Sequence, residues 1–247
     1  MMETIVLGIG ETLVRDDRHW ASWANWLGVP AHTLSALVGA AVAQGRDATD
    51  ALRVLRPDMD VDEAYLARAA AGRGEHLDES DLYPDVRPAL AELRAAGVRV
   101  VVAGNGTVRA GELLRALDLP ADLVVTSDEW GVRKPDSAFF ARVVEVAEAE
   151  PSATLYVGDH PAEDLFPAAA AGLRTAHLRR GAYGHWWAEH PDVVGAADFR
   201  VNALTELVGL DPAPPAVGDH PARPAFEDGS GAVGSGRPAR VSYLRGL

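Results

Sequence analysis

The sequence predicts a doubly wound α/β fold, a parallel sheet covered by helices on both faces, with an all-helical insertion. Three observations predict it. Short apolar runs recur along the chain, segments of helical period separate most of them, and one long strand-free stretch follows the first run. Strands alternating with helices build parallel sheets, and such sheets bind ligands beyond the carboxyl ends of their strands.

The first candidate strand is Thr4-Ile5-Val6-Leu7, which runs into a tight loop, Gly8-Ile9-Gly10-Glu11-Thr12-Leu13. Residues 16–82 contain no convincing strand. Trp20, Trp23, Trp26 and Leu27 recur at helical spacing there, and residues 34–42, 48–55 and 61–71 also read as helices. We expect a helical cap inserted after the first strand, its first helix capped by Asp16 and Asp17. The tryptophan stripe reads as packing. Tyr83-Pro84-Asp85 marks the return to the sheet. Residues 88–96 form a helix that Gly97 stops, and residues 98–103 the second strand. Helices at 110–117 and 138–149 flank a strand at 123–126. Strands follow at 154–157 and 175–178, with a weaker one at 198–201. The core is thus expected at 1–15 and 83–210, the cap at 16–82. Residues 211–247 are rich in Pro, Gly, Ala and charge without apolar periodicity, and read as a disordered tail.

The 247 residues allow one large domain or a domain carrying an inserted module, and 48% hydrophobic residues suffice for a substantial core. No apolar run is long enough to span a bilayer. The Met1-Met2-Glu3 start has no basic segment or cleavable apolar stretch, which favours the cytoplasm. The absence of cysteine excludes disulfides, thiolate catalysis and Cys-ligated zinc. A formal charge of −13 argues against nucleic acid or an anionic membrane as partner, while leaving room for a local site for one small anion. His185 and His190 beside Trp186 and Trp187 read as surface packing, not as a metal site.

Four segments, in order, resemble the haloacid dehalogenase-like hydrolases over roughly residues 1–210, and the position of the insertion resembles their helical-cap subfamily. They are the Gly8 to Leu13 loop, Val100-Val101-Val102-Ala103-Gly104-Asn105, Trp130-Gly131-Val132-Arg133-Lys134-Pro135-Asp136, and Tyr156-Val157-Gly158-Asp159-His160-Pro161-Ala162-Glu163-Asp164. The resemblance implies a Rossmann-like core and Mg²⁺-assisted hydrolysis of a small phosphorylated metabolite through an aspartyl intermediate. It places the nucleophilic Asp at Gly8 and the acid/base Asp at Gly10, so both carboxylates are missing. Thr12 matches the family pattern as a substrate-side residue. The phosphate-holding hydroxyl is missing at Gly104, while Asn105 is retained, and the backbone of 104–107 or the Thr107 hydroxyl remains as an anion contact. Lys134 would neutralise the nucleophile and the phosphoryl group. Asp159, Asp164 and the Gly10 carbonyl would hold Mg²⁺, weakened by loss of the Gly8-position carboxylate.

Several readings stay open at this point. The glycines fit loop geometry, Lys134 a structural ion pair with Asp159, Asp164 a helix N-terminal cap, and Asn105 a turn. Glu11 is a substitute nucleophile only remotely, three residues beyond the strand end. Asp and Gly codons differ by one base, and the retained Lys134, Asp159 and Asp164 fit a recent loss. The expected function is family hydrolysis severely impaired at Gly8. The alternatives are a silent phosphometabolite-binding or regulatory protein, and a dehalogenase or phosphonate-type branch that lacks the second carboxylate.

Overall fold

The computed structural model describes residues 2–210; the stretch expected as a disordered tail lies outside the described residues. Six strands form: β1 (Thr4–Leu7), β2 (Arg99–Gly104), β3 (Leu123–Thr126), β4 (Thr154–Gly158), β5 (Arg174–Leu178) and β6 (Phe199–Val201). They make one parallel sheet in the order β3-β2-β1-β4-β5-β6. The predicted doubly wound α/β class is therefore the observed one. Two strands run one residue further than the apolar pattern suggests. Gly104 pairs with Thr126 and Gly158 with His177, so the neighbouring strand, not side-chain hydrophobicity, extends each ladder.

From β1 the chain steps to β2 and β3 on one side, then crosses to β4 on the other. The order reverses between β1 and β4, and the crevice beyond that switch point is where open α/β sheets bind ligands. Leu7, the last residue of β1, lies level with Val102 and Val157, so the chain leaves β1 two residues before the end of β2 and one before the end of β4.

Residues 17–74 form a compact unit of their own. It contains α1 (Asp17–Leu27), α2 (Ala31–Ala43), α3 (Asp50–Leu55) and α4 (Val61–Ala70). On α1 the expected stripe buries Trp20, Trp23, Ala24 and Leu27. Trp26 is only half-buried. The Arg68 guanidinium lies 4.0 Å over the Trp23 ring and donates to Ser22 Oγ at 2.6 Å. The α4 N-terminus is capped by Asp60, whose Oδ1 accepts from the Asp62 and Glu63 amides at 2.9 and 3.0 Å.

Residues 2–16 and 75–210 make the sheet unit. Its helices are α5 (Val86–Ala95), α6 (Val108–Ala116), α7 (Ser127–Trp130), α8 (Ser137–Ala147), α9 (Phe166–Ala170), α10 (Gly181–Trp186) and α11 (Pro191–Ala196). Strand alternation sorts the core into two layers. Ile5, Leu7, Val100, Val102, Leu155 and Val157 pack with Val86, Ala89, Leu90 and Leu93 of α5. Val6, Val101, Ala103 and Tyr156 face Phe139, Phe140 and Val143 of α8. Both faces of the central strands are covered, which is why they read as continuous apolar runs. Each fully buried aliphatic or aromatic side chain contributes about 1.5–3 kcal/mol to this core. Among the described residues no single helix is long and apolar enough to cross a membrane.

Candidate functional site

The loop after β1 is held by backbone bonds. The Gly8 amide donates to Val157 O at 2.9 Å, and the Leu13 and Val14 amides donate to Ile9 O at 2.9 and 3.1 Å. The Glu11 amide donates to Val14 O at 2.7 Å, and Glu11 sits at φ 50°, a conformation that favours glycine. A Cβ at Gly8 would lie 3.0 Å from Thr12 Oγ1 and 3.5 Å from Val157 O. Thr12, expected on the substrate side, is fully buried beside this position, and its hydroxyl has no hydrogen-bond partner among the described residues. Backbone and one threonine hydroxyl therefore surround Gly8 at the end of β1.

Gly104 is closed by packing. A Cβ there would meet Ile9 Cγ1 at 3.0 Å, Ile9 N at 3.1 Å and Ile9 Cδ1 at 3.2 Å. Ile9 is 1% exposed and anchored in the core. Restoring a hydroxyl with Gly104→Ser is expected to destabilise the fold by about 1–3 kcal/mol through overpacking. Adding Ile9→Val, which removes Cδ1, is expected to recover part of that loss. Urea midpoints of the two variants check this, and a neutral Gly104→Ser contradicts the packing account.

Asn105 and Lys134, 29 residues apart, are brought together. The Asn105 side chain accepts the Lys134 amide at 2.8 Å and donates to Lys134 O at 3.2 Å. It thus latches the Lys134 segment, which a turn residue would not do. The Lys134 ammonium donates to Asp164 Oδ1, and not to Asp159 as the sequence suggested. Both partners are buried. Burial works against the Lys134 charge, but the Asp164 carboxylate outweighs it and holds the ammonium above its ordinary pKa. Asp164 Oδ2 accepts the His160 amide at 3.0 Å, and the Tyr156 hydroxyl lies 3.4 Å from Oδ1. Asp164 is not a helix N-cap. It lies within a wide turn, Pro161–Leu165, whose capping residue is His160. It reaches back over Gly158, where a Cβ would come within 2.3 Å of its Cγ.

Asp159 follows β4 and is 6% exposed. Burial, reinforced by the Asp164 and Glu11 carboxylates, pushes its carboxyl well above the usual range. Among the described residues no group of three or more His, Cys, Asp or Glu side chains is arranged to hold a metal ion. Both Asp164 oxygens are engaged, and Gly8 supplies no side-chain oxygen. Asp159, Asp164 and the Gly10 carbonyl form a reduced donor set for Mg²⁺, with Asp164 already held by Lys134 and the His160 amide. Two of the anion contacts considered beyond Gly104 are also engaged. The Gly106 amide donates to Ser127 Oγ at 3.1 Å. The Thr107 hydroxyl donates to Glu75 Oε2 at 2.6 Å and caps α6 by accepting the Ala110 amide at 3.0 Å.

A partly buried polar network beside the site left little trace in the sequence. Glu11 accepts from the Tyr83 hydroxyl and from the Asp16 amide, the latter at 3.0 Å. Arg180 donates to Thr12 O at 2.8 Å and to Asp85, with its guanidinium 4.1 Å over the Tyr83 ring. The Leu204 amide also donates to Asp85, at 2.7 Å. Gly181 sits at φ 60°, and a Cβ there would come within 2.5 Å of Glu11 Cγ. The signals were Tyr83-Pro84-Asp85 at the unit boundary and Glu11 at a position often Gly in the family; Arg180 carried none. Trp186 is 63% exposed and the Trp187 ring packs edge-on to His190 at 5.4 Å, in keeping with surface packing.

Comparison with known proteins agrees with this geometry. Residues 6–172 match the family model described as haloacid dehalogenase-like hydrolase. A glyceraldehyde 3-phosphate phosphatase of Methanocaldococcus jannaschii is 31% identical over 52% of this chain and 55% of its own. A ribulose-1,5-bisphosphate 5-phosphatase of Halopiger xanaduensis is 34% identical over 44% of this chain and 47% of its own. The chain thus spans about half the length of the curated relatives it matches. An L-2-haloacid dehalogenase of known structure shares the fold, with a TM-score of 0.54, 24% identity, and coverage of 84% of this chain and 98% of that one. With its sheet order, its strand-end motifs and a family match over two thirds of its length, the chain belongs to the haloacid dehalogenase-like hydrolases.

Proposed function

We propose that this chain is a phosphatase-type member of the family whose phosphoester hydrolysis is severely impaired. The observation that carries the reading is Gly8 at the β1–β4 switch point, where backbone and the Thr12 hydroxyl replace a nucleophilic carboxylate. Covalent catalysis needs a positioned nucleophile, and losing one member of a catalytic unit costs on the order of 10⁴–10⁶ in rate. Gly10 removes the acid/base group as well. In this reading the helical unit at 17–74 is the cap, Mg²⁺ binds weakly at best, and the substrate class is a small phosphorylated metabolite like those in the relatives' names. A dehalogenase or phosphonate-type route would also need the missing Gly8-position carboxylate. A silent ligand-holding role would require Lys134 to leave Asp164, at the cost of a buried unpaired carboxylate.

The test is a turnover assay of the purified chain, with Mg²⁺, on p-nitrophenyl phosphate, glyceraldehyde 3-phosphate and ribulose 1,5-bisphosphate. No rate above buffer is expected. Turnover that stays with the chain through a second chromatographic step overturns the reading.

A further inference from the structure

The helical unit carries a surface cleft of about 650 Å³ that the site described above does not use. That volume falls within the range of about 300–1,000 Å³ typical of ligand-binding pockets. Its apolar wall includes Trp26, Leu27 and Met59, contributed by the end of α1 and the α3–α4 connection. Its charged wall carries the exposed carboxylates Asp58, Asp60 and Glu63. Arg56 also lines it, with its guanidinium donating to Leu55 O at 3.1 Å and Leu27 O at 3.4 Å. The cleft therefore pairs an indole and aliphatic surface with three acids against one base. It suits a short segment that is both cationic and apolar.

Such a segment exists in the same chain. In a protein of formal charge −13, residues 237–247 read Arg-Pro-Ala-Arg-Val-Ser-Tyr-Leu-Arg-Gly-Leu, with three arginines and no acid. Val241, Tyr243 and Leu244 lie between Arg240 and Arg245. The described chain ends at Leu210, and the residues from 211 to 239 span up to about 100 Å when extended, so reach does not limit an intramolecular contact. A tether of this kind also supplies a local concentration in the millimolar range, against which a second copy or a free peptide must compete.

We propose that residues 240–247 dock in the cleft of the helical unit, with Tyr243 and Leu244 against Trp26, Leu27 and Met59, and Arg240 and Arg245 against Asp58, Asp60 and Glu63. Apolar burial supplies the attraction, and the charge pairs, individually weak at a surface, select the segment and its orientation.

The chain has no cysteine, so thiols placed in it react only with one another. Full-length protein carrying Ala67→Cys and Ser242→Cys is oxidised at low concentration, and the disulfide is quantified by mass spectrometry. The control pairs Ser242→Cys with Arg142→Cys, an exposed position on α8. Ala67 lines the cleft and is exposed, so its substitution leaves the core untouched. The intramolecular disulfide to position 67 is expected to form about tenfold faster than the control, as docking raises local concentration. Adding Tyr243→Asp and Leu244→Asp is expected to return the rate to that of the control, whereas 1 M salt, which screens only the charge pairs, is expected to lower it in part. Equal rates for the two pairs overturn the proposal. A disulfide that forms only between chains, at a rate rising with concentration, also overturns it and assigns the cleft to a second copy.

Discussion

Gly8→Asp is expected to raise hydrolysis of p-nitrophenyl phosphate by on the order of 10⁴-fold over the unaltered chain. The position admits a Cβ with a small shift of its neighbours. The built Cβ is 3.0 Å from Thr12 Oγ1, a contact that a shift of a few tenths of an ångström relieves, and 3.5 Å from Val157 O. The substitution places a carboxylate at the switch point, beside a buried Thr12 hydroxyl that has no partner among the described residues. p-Nitrophenolate departs without protonation, so this substrate does not require the proton donor that Gly10 lacks. An alkyl phosphate needs a proton donor for its leaving oxygen, and Gly10 offers none. For alkyl esters Gly8→Asp with Gly10→Asp is therefore expected to exceed Gly8→Asp alone by about 10²–10⁴-fold. Steady-state kinetics on aryl and alkyl esters, with circular dichroism to establish folding, measure both effects. If folded Gly8→Asp protein stays at background on the aryl ester, Gly8 is not the sole lesion. The closed packing of Ile9 against Gly104 then becomes the next suspect.

Lys134→Met is expected to destabilise the fold by about 3–5 kcal/mol at neutral pH. Asp164 is wedged over Gly158, with one oxygen on the His160 amide and the other on the Lys134 ammonium. Removing the ammonium leaves a carboxylate at 2% exposure without its counter-charge. Replacing both partners, Lys134→Met with Asp164→Leu, is expected to return most of the loss, because two apolar side chains do not carry the desolvation penalty of an unpaired charge. Urea unfolding of the single and double variants measures this. A loss below about 1 kcal/mol for Lys134→Met would mean that the ammonium is not held by Asp164 in solution. The silent phosphate-holding role would then regain its cation.

The α/β class, the six strands and the strand-free stretch were legible because they depend on local patterns. Apolar runs of four to six residues, helical-period segments and the breakers Gly97 and Pro84 act over a few residues. The strand ends at Gly104 and Gly158 were less legible, since pairing with Thr126 and His177 set them across the sheet. The candidate site divides in the same way. The positions after β1, β2 and β4 followed from motif order. The partner of Lys134 did not, because that depends on how the wide turn after β4 swings Asp164 back over a glycine. Asn105 was retained in sequence, but its work on the Lys134 backbone exists only once β2 and the 134 segment lie side by side.

What the sequence by itself determined is which side chains the strand ends carry. No packing arrangement puts a carboxylate on Gly8 or Gly10, or a hydroxyl on Gly104, because these are covalent facts of the chain. What only the tertiary structure decided is how the surviving polar groups are used. Lys134 is neutralised by Asp164, Asn105 holds backbone, Thr107 caps a helix, and Glu11 is tied to Tyr83 and Asp16. The physical reason is that a buried polar group must find a partner within about 3 Å, and its partner is whichever group the fold brings there, however distant in sequence.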